Sequence, residues 1–251
     1  MLAYLPKSHS RFFHVYYALE ALTKVGGKVL DVGCGRGGIT MTIKRSFPKL
    51  SVTACDKDEG ALREFRKDAK RLGIKILKSD AHKLPFKDAS FEAVVMFDVL
   101  EHLKIPQRAI LEAARVTKKG GVFHLVVPIE AELSTLDGWI KKIFGKNLKR
   151  KPIGHIQQFF QKDIENFLSA AKLKPEKFYY SYHFFFQIIS FIYFFFVSAK
   201  GGEYIPLVSE SRIVNKLISS LATCLGWITY LESKLLSGVK GQALHITSKK
   251  M

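Results

Sequence analysis

Hydrophobic positions along this chain switch between two periods, short β-branched runs and longer stretches with apolar residues three or four apart. The first short run is Lys28 to Val32, inside "GGKVLDVGCGRGG". A helix is expected ahead of it, from Ser10 to Val25, and another after the glycines, in "ITMTIKRSF". "LSVTACD" predicts a second strand ending at Asp56, followed by the helix "EGALREFRKDAKRL" with Asp58 as its cap. "IKILKSDAHKLPF" predicts a third strand that closes on Ser79, Asp80 and Ala81. "FEAVVMFDVLEHL" is a fourth strand running into a helix, and "GGVFHLVVP" is a fifth. Strands alternating with helices imply parallel βαβ units and a doubly wound α/β sheet.

Three later stretches break this rhythm. In "LSTLDGWIKKIFGKNLKRK", Leu133, Leu136, Trp139, Ile140, Ile143 and Phe144 fall at helical spacing, and six basic residues follow Asp137 without an acid. A basic amphipathic helix carrying tryptophan on its apolar side suits a membrane interface; an ordinary helix with a solvated lysine face has the same pattern. Phe184 to Val197 is apolar except for Gln187 and Ser190. A bilayer span needs about 20 residues, so this segment suits a buried, re-entrant or interfacial helix better than a crossing. "VNKLISSLATCLGWITYLESKLL" sets Val214, Leu217, Ile218, Leu221, Leu225, Ile228 and Leu235 on one stripe. The two segments are expected to pack as a helical hairpin.

Composition agrees with a globular protein, at 47% hydrophobic and 25% charged residues. The excess of 40 Lys+Arg over 22 Asp+Glu gives a net charge of +18 and favours an anionic partner, whether membrane surface, nucleic acid or phosphorylated substrate. Cys34, Cys55 and Cys224 are odd in number and far apart, which gives no disulfide framework and no zinc spacing. With no signal-peptide pattern at the start, a cytoplasmic protein is expected.

The chemistry begins at the first glycine cluster. Gly33, Gly35 and Gly38 fit the dinucleotide spacing, a weak signal alone. Asp31 lies two residues before the first of them and would oppose a pyrophosphate. It would instead attract S-adenosylmethionine, which carries an ammonium and a sulfonium and no phosphate. Asp56, about twenty residues further on, stands where an acid grips ribose hydroxyls.

"VLDVGCGRGG", "CDKDEGAL", "SDAHKLPFKDASFEAVVMFDVLEHL" and "AARVTKKGGVFHLVVP" resemble the successive motifs of class I S-adenosylmethionine-dependent methyltransferases, most closely the type 11 small-molecule and lipid group. The resemblance spans Lys28 to Pro128 and continues more faintly through "HIQQFFQKDIENFLSAAKLK". It implies that Asp31 and the Gly33, Cys34, Gly35 and Gly37 turn hold the methionine part of the cofactor. Asp56 would take the ribose, with Lys57 beside the adenine, Asp80 and Ala81 at the adenine edge and Phe97 lining the pocket. The three-residue spacing of Asp98 and Glu101 predicts a capping box, which makes Glu101 structural. His102 and His155 are the candidate bases, each with a packing role as its alternative. No metal-ligand cluster stands out in the sequence.

The family topology makes "EKFYYSYHF" the sixth strand and "GQALHITSK" an antiparallel seventh. Residues 184–238 then form an insertion on the cofactor face, and 1–183 with 239–251 form the methyltransferase domain. The function expected is methyl transfer to a small or lipid-like acceptor at a membrane surface. Methylation of RNA, a non-catalytic adaptor role and a homodimer through the apolar segment are the alternatives.

Overall fold

In the computed structural model, residue 9, residues 12–199 and residues 212–251 are described. The expected first helix is present as α1 (Phe12–Leu22), and Ser10 and Arg11 lie outside the described residues. Five strands follow: β1 (Lys28–Val32), β2 (Ser51–Asp56), β3 (Lys75–Lys78), β4 (Phe91–Phe97) and β5 (Thr117–Pro128). Between them run α2 (Gly38–Ser46), α3 (Glu59–Leu72) and α4 (Pro106–Val116), with a single 3₁₀ turn at Leu100–His102 after β4. β6 (Leu173–Ser181) and β7 (Ala243–Lys250) complete a seven-stranded sheet in the order β3-β2-β1-β4-β5-β7-β6. β1 to β5 are parallel, and β7 lies antiparallel between β5 and β6. The seven-stranded α/β sheet expected from the motifs is therefore the observed one.

Strand period divides the core in two. Val29, Ala93, Val95 and Val122 face one layer with Leu22 of α1, Ile43 of α2 and Phe65 of α3. Leu30, Val94, Met96 and Phe123 face the other, with Ile110 of α4 and Ile164 of α7 (Gln161–Ala170). A sheet covered on both faces needs apolar residues at consecutive positions, which is why these strands read as unbroken hydrophobic runs.

The three unusual segments become helices. α5 (Leu136–Phe144) begins where the Thr135 hydroxyl accepts the Gly138 amide at 3.0 Å, and it ends at Gly145 in the left-handed conformation. Leu133 therefore lies outside the helix, and the basic run continues into a loop and the short α6 (Arg150–Ile153). α8 (Phe184–Ala199) and α9 (Arg212–Leu235) follow β6, and α8 packs on α5, α6 and α9. The link between α8 and α9, and the side chains of Val214, Leu217 and Ile218 in the predicted stripe, lie outside the described residues. Among the described residues no helix is long and apolar enough to cross a membrane.

Candidate active site

The parallel strands all end on one edge of the sheet, where ligands bind in open α/β folds. Three features build a cradle there. Gly33, at φ 76°, turns the chain directly after β1, and a Cβ on it would stand 2.3 Å from the Val99 side chain. Only glycine fits that turn. Asp56, at the end of β2, accepts the Gly35 amide at 2.7 Å and the Asp58 amide at 2.9 Å, tying the glycine turn to the neighbouring strand. Asp58 in turn caps α3 by accepting from Gly60 and Ala61.

Asp31 is 1% exposed, accepts the Thr40 hydroxyl at 2.5 Å through Oδ2, and has no partner for Oδ1. Burial, and to a lesser extent the nearby Asp56 charge, raise its pKa to about 7 despite the Thr40 hydrogen bond. A cationic ligand beside it would stabilise the carboxylate and expel the proton. Affinity for such a ligand is therefore expected to fall up to about tenfold per pH unit below pH 7, as the free protein takes up a proton that binding must release. Asp31→Asn should flatten the profile when affinity is titrated calorimetrically across pH; a profile equally steep in the variant would remove Asp31 from the site.

A cavity of about 780 Å³ opens over this edge. Asp31, Gly33, Cys34, Gly35, Asp56 and Phe97 line it. A smaller hollow of about 150 Å³ is walled by Asp56, Lys57, Ser79, Asp80 and Ala81, so the residues expected around an adenine lie together. Asp80 is already engaged, accepting the His82 amide at 2.9 Å, and this holds its carboxyl below the ordinary value. Gly37 lines neither space; a Cβ on it would strike the Phe65 ring at 2.3 Å, so its role in the fold is close packing of α3 against the turn.

The large cavity continues past the cradle to further polar groups, of which sequence patterns did not single out Glu130, His14 or Tyr182. Glu130, just after β5, is 1% exposed and bonds His155 Nδ1 at 3.1 Å and Lys149 Nζ at 2.7 Å. Lys149 also donates to Asp137 at 2.9 Å. Burial alone would raise the Glu130 pKa, but Lys149 and His155 outweigh it and lower the carboxyl to about 2. Burial likewise opposes the Lys149 charge, and Glu130 with Asp137 overcomes it and raises its pKa. The solvated lysine face predicted by the basic run thus fails at Lys149, which is 5% exposed because two carboxylates draw it inward. Also lining the cavity, the Tyr182 hydroxyl lies 2.9 Å from His14 Nδ1, and His14 Nε2 lies 3.2 Å from Asp98. Phe186, Ser190 and Phe194 of α8 also line the cavity, Phe194 with its ring centre 5.6 Å from Lys149 Nζ.

The predicted capping box does not form. The turn at Leu100–His102 has no side-chain cap, Asp98 (φ 52°) contacts His14, and Glu101 is fully buried on the cavity wall. Burial, and then the Asp98 charge, hold the Glu101 carboxyl well above its ordinary pKa. His102 and His155, expected as separate candidates, meet with ring centroids 5.1 Å apart. Burial, and then His155, lower the His102 pKa. The sequence shows no metal-ligand spacing, but the fold gathers Glu101, His102 and His155 with one ligand atom of each within 4.8 Å of the others.

A doubly wound sheet with a glycine turn after β1, the buried Asp31 beside it and Asp56 at the end of the neighbouring strand places two acids at the cavity edge, with Arg36 of the turn also on the cavity wall. Residues 30–125 match the family described as a methyltransferase domain. The chain is 34% identical over 119 residues to rice (Oryza sativa subsp. japonica) 2-methyl-6-phytyl-1,4-hydroquinone methyltransferase 1, covering 47% of this chain and 34% of that protein. It is 38% identical over 95 residues to the ubiquinone/menaquinone biosynthesis C-methyltransferase UbiE of Desulfotalea psychrophila, covering 38% of this chain and 39% of the relative. It thus spans between a third and two fifths of these relatives. A geranyl diphosphate methyltransferase solved with S-adenosylmethionine superposes at TM-score 0.59 and 14% identity, covering 95% of this chain and 85% of that one.

S-adenosylmethionine is the cofactor of this family, and the residues present fit it. The unpartnered Asp31 Oδ1 suits a cation, the Gly33 turn leaves backbone room, and the Asp56 oxygens retain lone pairs for ribose hydroxyls.

Proposed function

We propose that this chain transfers the methyl group of S-adenosylmethionine to a small, largely apolar acceptor that reaches the site from a membrane surface. One observation carries the reading: the cavity lined by the glycine turn is also lined by Phe186, Ser190 and Phe194 of the aromatic helix α8. Tyr182, Phe186 and Phe194 offer an apolar surface to the acceptor, and residues 184–238 serve as a cap over the cofactor-bearing domain of 1–183 and 239–251. The names of the quinol and quinone methyltransferases among its relatives support an acceptor of that general character.

In the proposed arrangement Asp31 and the Gly33–Gly35 backbone hold the methionine moiety. Asp56 takes the ribose, and Lys57, Asp80 and Ala81 frame the adenine. The cofactor supplies an electrophilic methyl group on a sulfonium. The chain's part is to align the acceptor with it and to exclude water. A proton from an acceptor that arrives protonated would pass to the Tyr182 hydroxyl as that hydroxyl gives its own proton to His14 Nδ1, 2.9 Å away, with His14 Nε2 held 3.2 Å from Asp98. Delivery from a surface is supported by the exposed Trp139, Ile143 and Phe144 of α5 beside Lys141, Lys142 and Lys146, and by exposed Phe184, Phe185, Phe195 and Phe196 on α8.

The test is transfer of labelled methyl from S-adenosylmethionine into a fractionated cell extract containing membranes. Label is expected in the organic-solvent phase. Label confined to RNA or protein, or no transfer with any fraction, would contradict the reading.

A further inference from the structure

Glu101 is completely buried, and neither of its carboxylate oxygens has a hydrogen-bond partner among the described residues. A buried carboxyl group without hydrogen-bond partners costs free energy in either protonation state, and this one lies on the wall of the large cavity. The groups nearest to it are two imidazoles. His155 Nε2 stands 3.8 Å from Glu101 Oε1, and His102 stacks edge to face on His155.

The tautomers of both rings are set from outside. His102 Nδ1 lies 3.0 Å from the Gly154 carbonyl oxygen, which can only accept, so that nitrogen carries the proton. His155 Nδ1 lies 3.1 Å from a Glu130 oxygen and donates to it. In their neutral forms both rings therefore keep a lone pair on Nε2. Imidazole fixed through its far nitrogen by a carbonyl or carboxylate is the arrangement found around metal-ligating histidines, where the outer partner sets the tautomer and raises basicity.

We propose that Glu101, His102 and His155 bind a divalent transition-metal ion at the junction of the cofactor and acceptor regions of the cavity. One ligand atom of each residue lies within 4.8 Å of the others', and His155 Nε2 stands 3.8 Å from Glu101 Oε1. Two nitrogens and one oxygen make a borderline donor set that suits zinc, cobalt, iron or manganese better than magnesium or calcium, which take oxygen. The surrounding charge agrees. Asp98, Glu101 and Glu130 converge here against Lys149, and a dication offsets the formal excess of carboxylates. Three protein ligands leave positions open toward the cavity. This part rests on the proposed methyl transfer: an acceptor bearing a hydroxyl, phenol or carbonyl oxygen would bind the ion through that atom.

The experiment is calorimetric titration of the metal-free full chain with Co²⁺, paired with the visible absorption and paramagnetic proton spectra of the complex. One ion is expected per chain, with enhanced ligand-field absorption and two shifted exchangeable resonances from the Nδ1 protons of His102 and His155. Glu101→Gln and His155→Ala should each weaken binding at least about 100-fold, and Glu130→Gln about 10–100-fold through loss of the outer partner. Lys24→Ala, an exposed position that is not one of the three ligands, should leave it unchanged. Absence of stoichiometric Co²⁺ binding by the wild-type chain would overturn the proposal, whatever the variants do. So would equal affinity in folded Glu101→Gln and His155→Ala. S-adenosylmethionine binding, titrated separately, distinguishes the two claims: cofactor binding without Co²⁺ binding overturns the metal site alone, and the reverse overturns the cofactor site alone.

Discussion

Lys149→Met is expected to lower the free energy of unfolding by about 3–5 kcal/mol, a large share of the roughly 5–15 kcal/mol typical of a domain. The ammonium sits between Glu130 at 2.7 Å and Asp137 at 2.9 Å, and its nitrogen lies 5.6 Å from the centre of the Phe194 ring. It thus pins three parts of the chain to one another: the loop after β5, the first turn of α5, and the apolar helix α8. Methionine keeps most of the volume but leaves Glu130 nearly buried without its principal counter-charge. The penalty comes from that stranded carboxylate more than from the lost attraction. Glu130→Gln combined with Lys149→Met should therefore recover part of the loss. Urea denaturation monitored by circular dichroism measures both variants. A loss below about 1 kcal/mol would mean that the pair behaves as a solvated surface bridge.

This network also marks where the sequence stops being legible. The sheet could be read because a strand covered on both faces must be apolar at every position, and "KVLDV", "VTAC" and "EAVVMF" carry that signature locally. Asp31, Asp56 and Asp80 could be placed because they stand at strand ends, where topology fixes what they face. The acceptor side offered no such pattern. Lys149 sits in a run of basic residues whose periodicity implies a wet surface, and only the approach of Glu130 and Asp137, distant in sequence, turns it inward. Glu101 stands three residues after Asp98, so local spacing suggested a cap. The left-handed conformation at Asp98 directs that residue to His14 instead and leaves Glu101 on the cavity wall. His155 comes from a loop far from His102 in sequence, so no spacing rule could join them. Gly37 shows the opposite case: the motif implied a ligand contact, and the fold uses the glycine for packing against Phe65.

Asp56→Ala is expected to weaken S-adenosylmethionine binding about 100-fold. Two hydrogen bonds from ribose hydroxyls to an ionised carboxylate contribute roughly 1.5–3 kcal/mol each, less what water restores, for a net loss of about 3 kcal/mol. The same carboxylate holds the Gly35 amide at 2.7 Å, so its removal also loosens the turn that cradles the methionine portion. Asp56→Asn keeps the shape and one carbonyl acceptor, and should lie between wild type and alanine. An unchanged melting temperature in the absence of cofactor would separate this loss from a failure to fold. Isothermal titration of S-adenosylmethionine into the wild-type and Asp56→Ala chains is the direct measurement. Saturable binding of one cofactor per wild-type chain, weakened about 100-fold in the variant, is the predicted result; no binding by the wild type, or equal affinity in both, would contradict it.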